Sequence, residues 1–199
     1  MMLLLKILTF LPLVFFGHPD SNKIIIDSEI TFEEAMSGKK IPSAIKEQLT
    51  LIDVYYYSSD NKKHKGQLLI DKTLKNELLK IFEIIEKGKF IINKVIPVSR
   101  YNWSDSLSMA DNNTSAFNYR PVKGTRKLSA HSYGRAIDIN PLLNPQFKRS
   151  SRFPHNGNYN KDVPGTLHHE SAIVKAFKKH GWKWGGNWKS TKDYMHFEK

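Results

Sequence analysis

The stretch from residue 49 to residue 88 constrains the fold most, because it places a strand pattern directly before a helix pattern. Its first part, LTLIDVYYY (49–57), is rich in residues that favour β-strands. A polar turn separates it from a second apolar run, QLLID (67–71). Two such runs joined by a turn predict a β-hairpin with a long loop.

An amphipathic helix is predicted immediately after this hairpin. Asp71 can cap its start and Gly88 can end it. Its apolar positions recur at helical spacing, and they are Leu74, Leu78, Ile81, Phe82 and Ile85. This face is expected to pack on the core of the domain.

The remainder of the chain adds shorter elements. FIINKVIPVS (90–99) has the composition of a strand, and the polar segment that follows, to about Ser115, is predicted to be an irregular loop. A second helix is predicted from Glu170 to His180, and the aromatic, glycine-rich tail (181–199) is assigned to strands and tight turns. The predicted fold class is therefore α+β, with a small antiparallel β-sheet backed by two helices.

The length of the chain, 199 residues with 40% hydrophobic content, suits one compact domain with its own core. The apolar run within residues 1–17 is as long as the core of a secretory signal and too short to span a bilayer. It predicts an export signal, and an uncleaved membrane anchor is the alternative. Residues 18–48 show no clear period and are expected to be a spacer, so that the domain occupies residues 49–199.

Charge and cysteine content limit the partners and the sites that this chain can have. Its net charge of +12 implies an anionic partner, either nucleic acid or an anionic surface such as a bacterial cell envelope. The export signal favours the envelope, and the sequence has no recognisable motif for reading nucleic acid, so no nucleic-acid partner is expected. Because there is no cysteine, any metal must be held by His, Asp and Glu.

Several common catalytic motifs are absent from the sequence. It has no phosphate-binding GxxxxGK[ST] loop, no GxGxxG dinucleotide fingerprint and no GxSxG nucleophile elbow. The nearest approach to the zinc-binding HExxH motif begins at His169, and Ile173 stands where the second histidine would be needed.

Two short segments concentrate histidine and acidic residues. SAHSYGRAIDINP (129–141), which has the composition of a buried strand, contains His131 and Asp138, and DYMHFE (193–198) contains Asp193 and His196. Two imidazoles and one carboxylate form a three-ligand set for Zn²⁺, and the remaining carboxylate could accept a proton from water. Histidines packed in a core are the alternative, because the spacing alone is not specific for a metal.

Small residues within the first segment fit the metal-site interpretation. Gly134 and Ala136 would let the chain bend between the two candidate ligands and keep the strand close to the metal. The tryptophans Trp182, Trp184 and Trp188 precede the second segment and are expected to pack in the core, with the lining of a substrate groove as the alternative.

The two segments together resemble the SxHxxGxAxD and [DE]xxH motifs of the M15 family of zinc peptidases. That family comprises D-Ala-D-Ala carboxypeptidases and related L-alanyl-D-glutamate endopeptidases of the bacterial cell wall. NTSAFNYR (113–120) and GWKWGGNW (181–188) extend the likeness, which covers about residues 65–199. The resemblance implies the M15 or hedgehog-like peptidase fold, with a zinc site on the sheet.

The resemblance also implies a role for each candidate residue. One Zn²⁺ would be bound by His131, Asp138 and His196, and Asp193 would be the general base. Arg120 would stabilise the developing oxyanion, and Ser129 would contact the substrate. Without the motif context, the preferred interpretation is a surface salt-bridge partner for Arg120 and a hydroxyl at a strand edge for Ser129.

The function implied is hydrolysis of peptidoglycan stem peptides, which contain D-amino acids, by a metal-activated water. The sequence leaves open whether the D-Ala-D-Ala or the L-Ala-D-Glu bond is cleaved. A catalytically inactive cell-wall-binding module of the same fold is the alternative. The expected location is exported, either periplasmic or extracellular at the cell wall, and no protein partner is implied.

Overall fold

The computed structural model describes residues 23–199 of the chain. The predicted export signal and the first residues of the predicted spacer lie outside the described residues. Within residues 23–199, no helix has both the length and the apolar character needed to cross a membrane.

The described residues form five α-helices and eleven β-strands. The helices are α1 (Phe32–Ala35), α2 (Ser43–Lys46), α3 (Lys75–Lys87), α4 (Asp105–Ala110) and α5 (Ala172–Lys179). The strands are β1 (Ile25–Ile26), β2 (Leu49–Tyr57), β3 (Lys63–Asp71), β4 (Lys94–Val95), β5 (Asn113–Thr114), β6 (Ala136–Asp138), β7 (Gln146–Lys148), β8 (Ser151–Phe153), β9 (Lys183–Trp184), β10 (Thr191–Asp193) and β11 (His196–Glu198). Short 3-10 turns cover Lys72–Leu74, Val98–Tyr101, Ala130–Tyr133 and Gly185–Asn187.

The strands form four small sheets rather than the single sheet that was predicted. Three sheets have three strands each, in the orders β1-β3-β2, β10-β7-β8 and β6-β11-β9, and β4 pairs with β5. Most neighbours are antiparallel, but β1 runs parallel to β3 and β4 runs parallel to β5. The mixed α/β character is as predicted. Only β2 and β3 are long, and each of the other strands has two or three residues before a turn, so the described strands form several small sheets.

The predicted hairpin and first helix are confirmed. Strands β2 and β3 pair antiparallel over their whole length, from Leu49 opposite Asp71 to Tyr57 opposite Lys63. The Asp71 carboxylate accepts a hydrogen bond from the Thr73 amide and so caps the 3-10 turn that leads into α3. Helix α3 ends at Gly88 and buries its predicted apolar face in the main core.

The segment expected to be a spacer is packed from about Ile25 onward. Strand β1 adds to the edge of β3, and a Thr31–Glu34 capping box begins α1. Buried Ala35 and Met36 join a second hydrophobic cluster with residues of the hairpin. The packed region thus begins about 25 residues before the expected boundary, because few apolar side chains suffice to hold short elements onto an existing sheet.

Two predictions between residues 90 and 115 need correction. The predicted strand 90–99 contains only β4, since Pro97 lacks the N–H group that a ladder needs and a 3-10 turn follows it. The segment predicted to be irregular contains α4, whose start is capped by the Ser104 hydroxyl. Six residues are too few for hydrophobic periodicity to reveal a helix.

The second predicted helix is confirmed as α5, which begins after Ser171 and packs in the main core. Its Phe177 ring stacks on Phe197 at 4.1 Å between centroids and meets the edge of Trp182 at 5.3 Å. Trp182 and Trp184 are buried, as the core interpretation predicts. Trp188 is only half-buried.

The segment 129–141 is a turn followed by a short strand, not the continuous strand that its composition predicts. A 3-10 turn (Ala130–Tyr133) ends at Gly134, whose φ of +65° is a left-handed conformation. A Cβ built on Gly134 would lie 2.5 Å from the Asp71 amide nitrogen. The glycine therefore permits both the reversal of the chain and its close approach to the hairpin.

We predict that Gly134→Ala lowers the free energy of unfolding by about 2–4 kcal/mol, because left-handed strain adds to a backbone clash. Gly124→Ala is a matched control, since Gly124 has a φ of +80° with no atom within 4 Å of a built Cβ. Urea unfolding of both variants measures the difference. Equal destabilisation would show that the close approach to Asp71 contributes nothing.

Candidate active site

Two of the predicted metal ligands lie opposite each other on neighbouring strands. Strands β6 and β11 pair antiparallel with Asp138 opposite His196. Directly opposed residues of an antiparallel pair point to the same face of the sheet. The Asp138 Oδ1 and His196 Nδ1 atoms consequently lie 2.9 Å apart.

The third predicted ligand comes from the 3-10 turn before β6. Ser129 caps this turn, with its hydroxyl oxygen accepting a hydrogen bond from the His131 amide. The turn places His131 Nε2 at 3.3 Å from Asp138 Oδ2 and 3.2 Å from His196 Nδ1. The structure thus brings together three residues that are up to 65 positions apart in sequence.

This His–Asp–His cluster has the composition and the geometry of a metal site. One ligand atom from each of His131, Asp138 and His196 can be chosen so that all three lie within 4.8 Å of one another. All three residues are buried. Imidazole nitrogen and carboxylate oxygen are ligands of Zn²⁺ and of related divalent transition metals. The cluster could therefore hold a metal ion.

Hydrogen bonds outside the cluster orient both imidazoles toward it. His131 Nδ1 lies 2.5 Å from the Ala116 carbonyl oxygen, which can only accept, so Nδ1 carries a proton and Nε2 faces the cluster. His196 Nε2 lies 3.4 Å from Glu198 Oε2, which leaves Nδ1 facing the cluster. Such partners fix the tautomer of a ligating histidine.

Without a metal, the cluster is a buried charge pair. Burial opposes the charge of Asp138, but His131 and His196 hold the pKa of this carboxyl well below its usual range. Burial likewise opposes the charge of His196, but hydrogen bonds to Asp138 and Glu198 raise its pKa to about 10. A metal ion would have to displace the His196 proton, so we expect metal binding to release protons.

Asp193, the predicted general base, lies at the end of β10 and is buried. Its Oδ2 atom accepts a hydrogen bond from Gln146 Nε2 at 2.5 Å, whereas its Oδ1 atom has no hydrogen-bond partner among the described residues. Burial, with a further contribution from the Asp138 charge, raises the pKa of Asp193 to about 6. A carboxylate with this pKa can exchange a proton near neutral pH.

Two glycines of the WGGNW segment make room for Asp193 and for a core tryptophan. A Cβ built on Gly185 would lie 2.5 Å from the Asp193 carbonyl oxygen, and one built on Gly186 would collide with the Trp184 indole. The sequence suggested only tight turns in this segment. The structure shows that Gly185 lets a turn approach the predicted base.

Arg120 and Ser129 both contact the segments that surround His131. The Arg120 guanidinium forms an ion pair with Asp105, while its backbone is bonded to the ligand-bearing turn through Ser132 and Ser129. Ser129 is the cap of that turn. Arg120 is not part of the metal cluster, and the predicted oxyanion and substrate roles of these two residues stay predictions.

Sequence reasoning missed three residues near the site. Gln146 bonds to Asp193 and Glu198 to His196. The contact of the Ala116 carbonyl with His131 could not be predicted from the sequence, because every residue has a backbone carbonyl. Trp188, for which a groove role was the alternative to core packing, has its ring centroid 5.4 Å from that of His196.

We predict that His131→Ala abolishes tight binding of a divalent metal, because one of the three ligand atoms is removed. Zn²⁺ titration of the metal-free protein, followed by metal analysis after dialysis, measures this. His155→Ala is the control, since His155 is exposed and lies outside the cluster. Unchanged zinc content in His131→Ala would contradict the ligand set.

We predict that Asp193→Asn stabilises the metal-free protein at pH 7.5. The pKa of Asp193 is about 6 when folded and 3.8 in its reference state, so ionisation weakens the fold as pH rises between these values. At pH 7.5 the variant should gain about 1–3 kcal/mol, and at pH 4 almost none. Urea unfolding in a chelator at both pH values tests this, and an equal gain at both would refute it.

Comparison with known proteins bears on the same part of the chain. Residues 123–199, which contain both histidine motifs, match a family model described as D-alanyl-D-alanine carboxypeptidase, of the M15 peptidases. No solved structure matched the chain, so the hedgehog-like fold stays a prediction. The family match agrees with the resemblance seen in the two motifs, over the part of the chain that contains both of them.

Proposed function

We propose that this chain is a zinc-dependent peptidase that hydrolyses peptidoglycan stem peptides. One observation carries the proposal: three buried candidate ligand residues converge, and their charges act on the buried Asp193 carboxylate, whose Oδ1 atom has no hydrogen-bond partner among residues 23–199. These four residues lie within the segment that matches the D-alanyl-D-alanine carboxypeptidase model.

The donor set supports zinc as the metal. His131, Asp138 and His196 would supply three protein ligands, which is the number typical of catalytic zinc sites with an open position. When bound at such a site, Zn²⁺ lowers the pKa of a coordinated water to about 7 and polarises carbonyl groups. The outer hydrogen bonds from Ala116 and Glu198 would keep both imidazoles oriented.

Asp193 would carry the proton during the reaction. Its free Oδ1 atom would take a proton from the attacking water and then donate it to the leaving amine nitrogen. In the metal-free protein the pKa of Asp193 is about 6, so the carboxylate is ionised at neutral pH and available to accept a proton. Gln146 occupies Oδ2, so the two oxygens are not equivalent.

We also propose that Arg120 stabilises the negative charge that develops on the scissile carbonyl oxygen. Its backbone is bonded to the turn that carries His131, which supports a position near the metal cluster. The Asp105 carboxylate would hold the guanidinium in place. Loss of one such donor commonly costs about 100- to 1000-fold in rate.

The substrate class rests on the family match and on charge. Stem peptides carry carboxylates, and a protein of net charge +12 favours anionic surfaces. Export to the cell envelope, proposed from the apolar segment 1–17, would bring the enzyme to this substrate. Two bonds are candidates: the terminal D-Ala-D-Ala bond, named in the family description, and the L-Ala-D-Glu bond.

An inactive wall-binding module is the alternative function. A module that had lost catalysis would be free to lose its ligands and its base. The complete ligand cluster and the buried Asp193 argue for an active enzyme, because burying unpaired carboxylate oxygen costs stability that binding alone does not require.

We predict that the zinc-loaded protein cleaves purified muropeptides and that Asp193→Asn keeps its zinc but loses about 100- to 10,000-fold in turnover, the range typical for loss of a general base. Mass spectrometry of the products identifies the bond: loss of one alanine indicates the carboxypeptidase, and loss of the whole stem beyond L-Ala indicates the endopeptidase. Asp162→Asn, at an exposed carboxylate, is the control.

Two results would contradict this proposal. Unimpaired turnover by Asp193→Asn would remove Asp193 from the role of base. Binding of muropeptides without any zinc-dependent product would favour the inactive wall-binding module.

A further inference from the structure

The proposed base is paired across a sheet with a glutamine that no motif includes. Strands β7 and β10 run antiparallel with Gln146 directly opposite Asp193. Strand β7 is also paired on its other side, where Gln146 lies opposite Phe153 of β8. The backbone of Gln146 is thus held from both sides, and its side chain shares a face with that of Asp193.

The hydrogen bond between these side chains has one chemically sensible direction. An ionised carboxylate only accepts, so the amide of Gln146 must present its nitrogen, and Nε2 lies 2.5 Å from Asp193 Oδ2. The opposite orientation of the amide would place two acceptors in contact. Gln146 therefore stabilises the ionised form of Asp193 and marks Oδ2 as the bonded oxygen.

This bond makes the two oxygens of Asp193 unequal. Oδ1 is buried and has no hydrogen-bond partner within residues 23–199. Rotation about the last side-chain bond of an aspartate is ordinarily broad. The hydrogen bond from Gln146 to Oδ2 restricts that rotation.

We propose that Gln146 is a positioning residue for the reaction: it holds Oδ2 of Asp193 so that Oδ1 alone points to the proton that is transferred. The proposal rests on the proposed function of Asp193 as base. Gln146 forms no hydrogen bond with His131, Asp138 or His196 in the described structure, so it acts through Asp193 and not through the metal.

Gln146→Met tests this, because methionine has a similar length and no donor. In the zinc-loaded full chain we expect kcat on muropeptides to fall about 10- to 100-fold, as for a misplaced catalytic group, with KM nearly unchanged and zinc content equal to wild type. The acidic limb of the pH–rate profile should move to higher pH, since the ionised carboxylate has lost a donor. Gln48→Met, at an exposed glutamine, is the control.

A double variant separates positioning from a general structural effect. If Gln146 acts only through the Asp193 carboxylate, Gln146→Met should not lower the residual rate of Asp193→Asn any further. A further loss equal to that seen in the wild-type background would overturn the proposal. So would a kcat within twofold of wild type together with an unchanged pH profile.

A measurement without substrate distinguishes this proposal from the proposed function. Carbon NMR of the metal-free protein should show the pKa of the Asp193 carboxyl higher in Gln146→Met than in wild type. An unchanged pKa would overturn the contact itself, even in an active enzyme. A raised pKa in a protein that cleaves no muropeptide with zinc would refute the proposed function and, with it, the positioning role.

Discussion

The register between β6 and β11 is the constraint on which the site depends. It sets Asp138 opposite His196, and it places the neighbours Ile137 and Phe197 opposite each other on the reverse face. Ile137 and Phe197 belong to the main core, where Phe197 stacks on Phe177 of α5. Because strand side chains alternate in direction, a slip of one residue would turn the ligands into the core and the core residues outward. Hydrophobic burial on one face therefore fixes the positions of the candidate metal ligands on the other.

The site buries charged groups at a cost in free energy, which the rest of the fold must offset. His131, Asp138, Asp193 and His196 are all buried, and two of them are acidic. Hydrogen bonds within the cluster satisfy its own groups, whereas Asp193 has a raised pKa and one oxygen with no hydrogen-bond partner in the described part of the chain. Buried polar atoms without partners destabilise a fold, and they persist chiefly where a reaction uses them. The structure thus distinguishes the charge-paired cluster of His131, Asp138 and His196 from the Asp193 carboxylate, which has a raised pKa.

Long periodic patterns predicted structure well, and short elements did not. The hairpin β2–β3 and the helices α3 and α5 follow from apolar spacing because each buries a whole face. Helix α4 and the two- and three-residue strands leave too few positions for a period to emerge. The packing of residues 25–48 was not predicted for a related reason. The few apolar side chains of this segment form no periodic pattern, and they are buried by contact with the hairpin.

The sequence by itself determined the residue types of the site, the absence of thiolate ligands, and the family to which the two histidine motifs point. It could not determine which atoms come into contact. His131 and His196 are brought together by the pairing of β6 with β11, and Gln146 contacts Asp193 across the pair β7–β10. The tertiary structure likewise decides the tautomer of His131, through the Ala116 carbonyl. It also makes the two oxygens of Asp193 unequal and raises the pKa of that carboxyl, through burial and nearby charges. The sequence supplies the chemical groups of the site, and contacts between segments distant in sequence decide how those groups are arranged.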